Sequence, residues 1–230
     1  MTPPRARFAT LAAALVLGAC AAPTASPTPR PSCPSQAPTD ASAADIMGDT
    51  AAIEVRTNKG SFTIQLAPES APIATANFVA LAHCGFYDGI SFHRVIAGFV
   101  AQAGDPQTKA NRDVFDGLGT GGPGYQFEIE LPPDDTMYRT YMVAMANAMQ
   151  YDFATGEIQG GTDTNGSQFF VMLTDADSLR PYYSVLGTVV AGTDVVDAIG
   201  QLPTSGDPFN VPLDPVIIET MVDAEAPGAS

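Results

Sequence analysis

Apolar and polar positions take turns in AAIEVRTNKGSFTIQLA (51–67) on both sides of Asn58-Lys59-Gly60, which predicts two strands joined by a tight hairpin. The period then lengthens. In APESAPIATANFVALAHCG (67–85), Ile73, Ala76, Ala80 and Cys84 recur at helical spacing, which predicts an amphipathic helix. Ser70 is its expected N-cap, Pro72 sits near the first turn and Gly85 is the stop. Short strand-like runs follow, separated by glycine and proline: SFHRVI (91–96), FVAQAG (99–104), YQFEIEL (125–131), YMVAMAN (141–147), SQFFVML (167–173) and YSVLGTVV (183–190). GTDVVDAIGQL (192–202) predicts a second helix with Val195, Val196 and Ile199 on one face, and PVIIETMV (215–222) a last strand. Many short strands with two helices predict a mainly β domain, an antiparallel closed barrel or a sandwich.

The N-terminus has a different pattern. MTPPRARFATLAAALVLGAC (1–20) has a basic start and an apolar run from Phe8 to Leu17, too short to span a bilayer with ease. This is the form of an export signal, and Leu17-Gly18-Ala19-Cys20 resembles the lipobox of bacterial lipoproteins. That resemblance implies a signal peptide over 1–19, lipidation of Cys20 and anchoring at the outer face of the cell membrane, the lipid being the chain's one membrane contact. Residues 20–50, rich in Pro, Ser, Thr and Ala, read as an extended tether before a domain at 51–223, with a loose tail at 224–230. With Cys20 lipidated, Cys33 and Cys84 remain as an even pair in an oxidising compartment. They could be joined, pinning tether to domain, or Cys84 could be a small buried hydrophobe and Cys33 a free thiol.

Composition narrows the partners. The 230 residues carry a net charge of −15, and loss of Arg5 and Arg7 with the signal segment makes it more negative. This argues against nucleic acid, which asks for clustered basic residues. The two histidines and three cysteines show no metal spacing. GTGGPG (119–124) lacks the Lys-Ser/Thr and helix of a phosphate loop. No metal or cofactor is expected, nor any association beyond the monomer. Arg94 stands out, a charge among Phe92, Val95, Ile96, Phe99 and Val100. Arginine in such a setting is either ion-paired or held against an apolar surface for chemistry.

Five stretches in order favour chemistry: NFVALAHCGFYDGISFHRVIAGFVAQAGD (77–105), GTGGPGYQFEIE (119–130), MVAMANA (142–148), TNGSQFFV (164–171) and YSVLGTVVAGTDVVDAIG (183–200). Together they resemble the cyclophilin-type peptidyl-prolyl cis-trans isomerases over roughly Ile53 to Val222. The resemblance implies a closed eight-stranded antiparallel barrel capped by two helices. It implies rotation of X–Pro amide bonds in unfolded or flexible exported polypeptides, with Arg94 as catalytic donor and Gln102 orienting it. Phe99, Val100, Phe170, Leu179 and Tyr183 would form the proline pocket, while Ala146, Asn147 and Gln168 line the groove for the substrate main chain. His93, next to Arg94 on a strand, should face the other way and be structural. His83 lies at a helix end, where a cation is favoured.

Departures from the family pattern are local. Tyr183 stands where the family often has histidine, and Ser178 near the tryptophan of cyclosporin-sensitive members, which implies weak cyclosporin binding. Residues 149–163 make a link longer than usual, either a flap that narrows substrate choice or a neutral surface insertion. A second insertion, 108–118, has no assigned role. Two other functions compete: a binding module or chaperone gripping proline segments without useful turnover, and a small hollow barrel carrying an apolar ligand.

Overall fold

A computed structural model describes residues 29–109 and 118–224. The expected signal segment, Cys20, the tail from 225 and most of the 108–118 insertion lie outside the described residues.

The hairpin forms as its pattern predicts: β1 (Ala52–Thr57) and β2 (Gly60–Leu66) pair in register from Ala52↔Gln65 to Thr57↔Gly60. They join β3 (Arg94–Ile96), β4 (Val100–Ala103), β5 (Met142–Met145), β8 (Phe169–Met172), β9 (Val185–Ala191) and β10 (Ile218–Ala224) in one antiparallel sheet. Its strand order is β10-β1-β2-β9-β5-β8-β4-β3. A separate two-stranded sheet, β6 (Gln150–Tyr151) with β7 (Ile158–Gly160), lies in the 149–163 insertion.

The sheet curls without forming the continuous closed ladder expected. Its edge strands are β3 and β10, and around them the backbone is linked by an isolated bridge, Ser91↔Ile217, and by bonds such as Phe92 N–H to Val216 C=O at 2.9 Å. YQFEIEL is a second correction. Phe127 and Ile129 are buried as alternation predicts, yet the backbone there makes one bridge, Phe127↔Asn165, and no strand.

Among the described residues three α-helices form instead of the two expected. The additional one, α1 (Asp40–Met47), falls in the expected tether. Its apolar residues Ala43, Ile46 and Met47, spaced i, i+3, i+4, pack into the core, and Ser42 Oγ accepts the Thr39 N–H at 2.9 Å. Cys33 and Cys84 are joined, with a Cα–Cα separation of 5.0 Å. Residues 40–47 therefore belong to the packed domain and not to the expected extended tether.

α2 (Pro72–His83) is buried on nearly every side, not amphipathic. Its N-cap is Ala71, not Ser70. The first-turn N–H groups of Ile73 and Ala74 instead donate to Glu130 at 3.0 and 2.7 Å, so a distant carboxylate caps the helix. At its other end His83 meets Asp223 at 2.6 Å. α3 (Thr193–Gly200) buries Val196 and Ile199, with Val195 packed beside them.

The concave face is filled. Phe62, Phe78, Phe92 and Phe169 are each at most 2% exposed. A hollow carrier of an apolar ligand is excluded by this packing.

Candidate functional site

The alternation of side chains across a strand sorts residues between two faces. On β8, Phe169 and Val171 enter the inner core, while Phe170 and Met172 join a second apolar cluster with Val100, Ala144 and Val185. Phe99, Ala146, Leu179 and Tyr183 pack around that cluster's margin. The strand register carries one row across this outer face: Arg94↔Gln102, Gln102↔Phe170, Phe170↔Ala144 and Ala144↔Val185. The expected proline-pocket residues are thus brought together on the outside of the sheet.

Arg94 is half-buried, and among the described residues no carboxylate lies within ion-pair distance of it. Its Nη1 donates to Gln102 Oε1 at 3.3 Å. Gln102 Nε2 donates to Gln168 Oε1 at 2.9 Å, and Gln168 Nε2 to the Gly121 carbonyl at 2.8 Å. Gly121 sits in a loop that hangs on the fully buried Asp105: Asp105 Oδ2 accepts Gly119 N–H at 2.7 Å and Gly121 N–H at 3.3 Å, and Oδ1 accepts Gln107 N–H at 2.8 Å. Gly104, one residue earlier, has φ of +101° and lies against the Ser167 backbone, where a Cβ would meet Ser167 O at 2.3 Å. A buried carboxylate and a backbone contact only glycine permits therefore fix the far end of the relay that holds the guanidinium.

The wall opposite is aromatic. Phe170 and Tyr183 meet edge to face, with centroids 5.3 Å apart. Buried Tyr138 pins this wall by donating to the Tyr183 carbonyl at 2.9 Å and accepting Tyr183 N–H at 3.0 Å. Burial raises the pKa of the Tyr183 hydroxyl, nearby Tyr151 adds to that, and Arg94 pulls the other way.

Two clefts flank the cluster. One, of about 610 Å³, is lined by Gln102, Gly121, Tyr125, Ala146, Asn147 and Gln168 among others. The other, of about 820 Å³, includes Phe99, Leu179 and the inserted segment's Tyr151 and Phe153. The Asn147 side chain is already committed, its Nδ2 donating to the Tyr182 carbonyl at 2.8 Å and its Oδ1 accepting Met149 N–H at 3.1 Å. His93 is 4% exposed, and burial pushes its pKa down to about 4 against the opposing pull of Asp105 and the Ser91 backbone. It stays apart from the Arg94 relay, as alternation predicts.

Asp105, Tyr138, Tyr182 and the Gly121 carbonyl escaped the sequence reading. Only Asp105 had a signal, an acidic residue directly after the glycine that ends FVAQAG. No group of three or more His, Cys, Asp or Glu residues that could hold a metal occurs among the described residues.

A family model described as "Cyclophilin type peptidyl-prolyl cis-trans isomerase/CLD" matches residues 52–222. A peptidyl-prolyl cis-trans isomerase of Helicobacter pylori is 38% identical over 157 residues, covering 67% of this chain and 83% of the relative. Peptidyl-prolyl cis-trans isomerase B of Streptomyces anulatus is 38% identical over 185 residues, covering 73% of this chain and 93% of the relative. The crystal structure of a cyclophilin type peptidyl-prolyl cis-trans isomerase from Cryptosporidium parvum superposes with a TM-score of 0.63 at 29% identity, over 77% of this chain and 99% of that one.

Proposed function

We propose a mechanism and a setting for this chain, which belongs to the cyclophilin-type peptidyl-prolyl cis-trans isomerases and is an enzyme of that kind. The X–Pro amide resists rotation with a barrier of about 18–20 kcal/mol. Rotation breaks no bond, so neither nucleophile nor cofactor is required. As the C–N bond twists it loses double-bond character and the prolyl nitrogen gains a lone pair. A donor aimed at that nitrogen stabilises the twisted state over the planar one, which is the condition for catalysis. Arg94 is that donor. The observation that carries this is its setting: a half-buried guanidinium beside an apolar cluster, paired with a neutral amide and with no carboxylate among the described residues.

Gln102 orients Arg94, and the relay through Gln168 to Gly121 keeps Gln102 from turning away. Phe99, Val100, Phe170, Leu179 and Tyr183 grip the proline ring. Because the Asn147 side chain is committed elsewhere, its main chain is the group left to pair with the substrate backbone, beside Ala146. A charged hydrogen bond contributes roughly 1.5–3 kcal/mol. Arg94→Ala should therefore lower kcat/KM on an X–Pro peptide about tenfold to a hundredfold, with the melting temperature unchanged. An undiminished rate in a folded variant overturns the mechanism. The same variant separates enzyme from binding module, since a module that only grips proline has no rate to lose.

The clients are proline-containing polypeptides outside the cytoplasm, met by a domain held to the membrane through lipid on Cys20. Leu17-Gly18-Ala19-Cys20 supports this, and the Cys33–Cys84 disulfide suits an oxidising compartment. Full-length chain should partition with membranes and Cys20→Ser should not; equal partition of both rejects the anchor.

A further inference from the structure

The inserted segment docks on the domain as a hairpin. The Tyr151 ring lies 5.0 Å from Tyr182, edge to face, and Tyr182 Oη donates to the Gly156 carbonyl at 2.6 Å. Arg180 Nη2 donates to the Phe153 carbonyl at 3.2 Å. Asp152 fixes the turn by accepting from Ala154 N–H, Thr155 N–H and the Thr155 hydroxyl, bonds that hold its carboxyl below the usual range. The loop that receives the hairpin runs from Leu179 to Tyr183 and so carries two residues of the proline pocket.

The cleft of about 820 Å³ lies between this hairpin and residues 134–137. Phe99 and Leu179 belong both to its lining and to the margin of the apolar cluster, so the cleft continues the proline pocket. Its walls are of two kinds. Tyr151 and Phe153 form an aromatic side, centroids 4.9 Å apart, with Phe153 84% exposed. Asp134, Asp135 and Asp177 form an acidic side. Asp177 is paired with Arg139, whereas among the described residues Asp134 and Asp135 have no cationic partner. The lining's one cation, Arg180, is tied to the hairpin backbone and faces Asp152.

We propose that this cleft is a second substrate subsite, built by the insertion, which takes a lysine or arginine side chain close in sequence to the isomerised proline. The occupant follows from the two walls. A long aliphatic stem lies along aromatic surface while its charged head reaches carboxylates, and a ring face also attracts the cation. The placement rests on the assignment of the Arg94 face as the isomerase groove.

The test is a set of peptides of one X–Pro core with Lys, Ala or Glu at each position flanking the dipeptide, assayed for turnover and for affinity by calorimetry. At one flanking position Lys should exceed Ala by about threefold to fivefold in kcat/KM and in affinity, the scale of exposed charge pairs, and Glu should fall below Ala. Raising salt should shrink the difference. In Asp134→Asn with Asp135→Asn the Lys-to-Ala ratio should approach one, and in Phe153→Ser it should drop partway. Equal values for Lys and Ala at every position overturn the subsite, as does a preference that survives the double variant. If no peptide is turned over, the isomerase reading fails, and the affinity order alone then upholds or rejects the subsite.

Discussion

Phe169 and Phe170 are neighbours on one strand with opposite duties. Phe169 faces the inner core, where Phe78, Tyr87 and Phe92 meet it edge to face at 5.4, 5.7 and 6.2 Å. Phe170 faces the outer cluster, against Tyr138 and Tyr183 at 6.5 and 5.3 Å, on the row that begins at Arg94. The inner face is closed mainly by apolar packing, with buried bonds such as that from the Tyr87 hydroxyl to the Ser167 carbonyl at 3.0 Å. The outer one is held open at its margin by polar pins, Tyr138 on one side and the Gln102–Gln168–Gly121 relay on the other. On the proposed mechanism, stability and chemistry fall to alternate residues of the same strands.

The sharpest way to break this contrast is a pair of truncations. Phe169→Ala should cost about 3–5 kcal/mol of stability, read by urea denaturation, with kcat/KM per folded molecule largely retained. Phe170→Ala leaves a gap that borders solvent, so its stability loss should be smaller. Its kcat/KM should fall about tenfold or more, because burial of the proline ring against one large apolar side chain is worth roughly 1.5–3 kcal/mol. An active but early-melting Phe170→Ala protein means that the outer cluster is a second core and no groove.

Much of this contrast was legible in the residues. Alternation through SFHRVI already separates Arg94 from His93, while the family resemblance, not alternation, assigned Phe170 to the pocket. What stayed hidden depends on contacts distant in sequence. The capping of α2 by Glu130 spans 56 and 57 residues, and Ser70 looked the better cap because only neighbours are visible along the chain. α1 was masked by the composition around it: Ala43, Ile46 and Met47 make a helical stripe, but between Pro-rich and Ser-rich stretches they read as tether. Cys33–Cys84 and the Asp105 loop are likewise pairings that spacing alone left open or unseen.

His93 and Arg94 offer the smaller test, again between adjacent residues on opposite faces. Arg94 is half-buried at the margin of the outer cluster, whereas His93 is 4% exposed. Burial is the main cause of its depressed pKa, with Arg94 acting in the same direction and Asp105 and the Ser91 backbone opposing. A folded-state value of about 4 against an ordinary 6.5 means that the unfolded chain takes up the proton first as pH falls. The neutral ring's contribution is complete above pH 6.5 and is lost as pH drops toward 4, a change of about 3 kcal/mol. Carboxylates such as Asp152 and Asp175, held low by their own hydrogen bonds, weaken the fold at lower pH, so the signal is the difference between wild type and His93→Leu. Between pH 7.5 and 4 the stability of wild type, read from denaturation curves, should fall relative to His93→Leu by about 3 kcal/mol, because only wild type carries the proton-linked loss. Parallel curves would show that His93 meets solvent or a partner when charged, and the division between a sealed inner face and a working outer one would then fail at the strand that carries both residues.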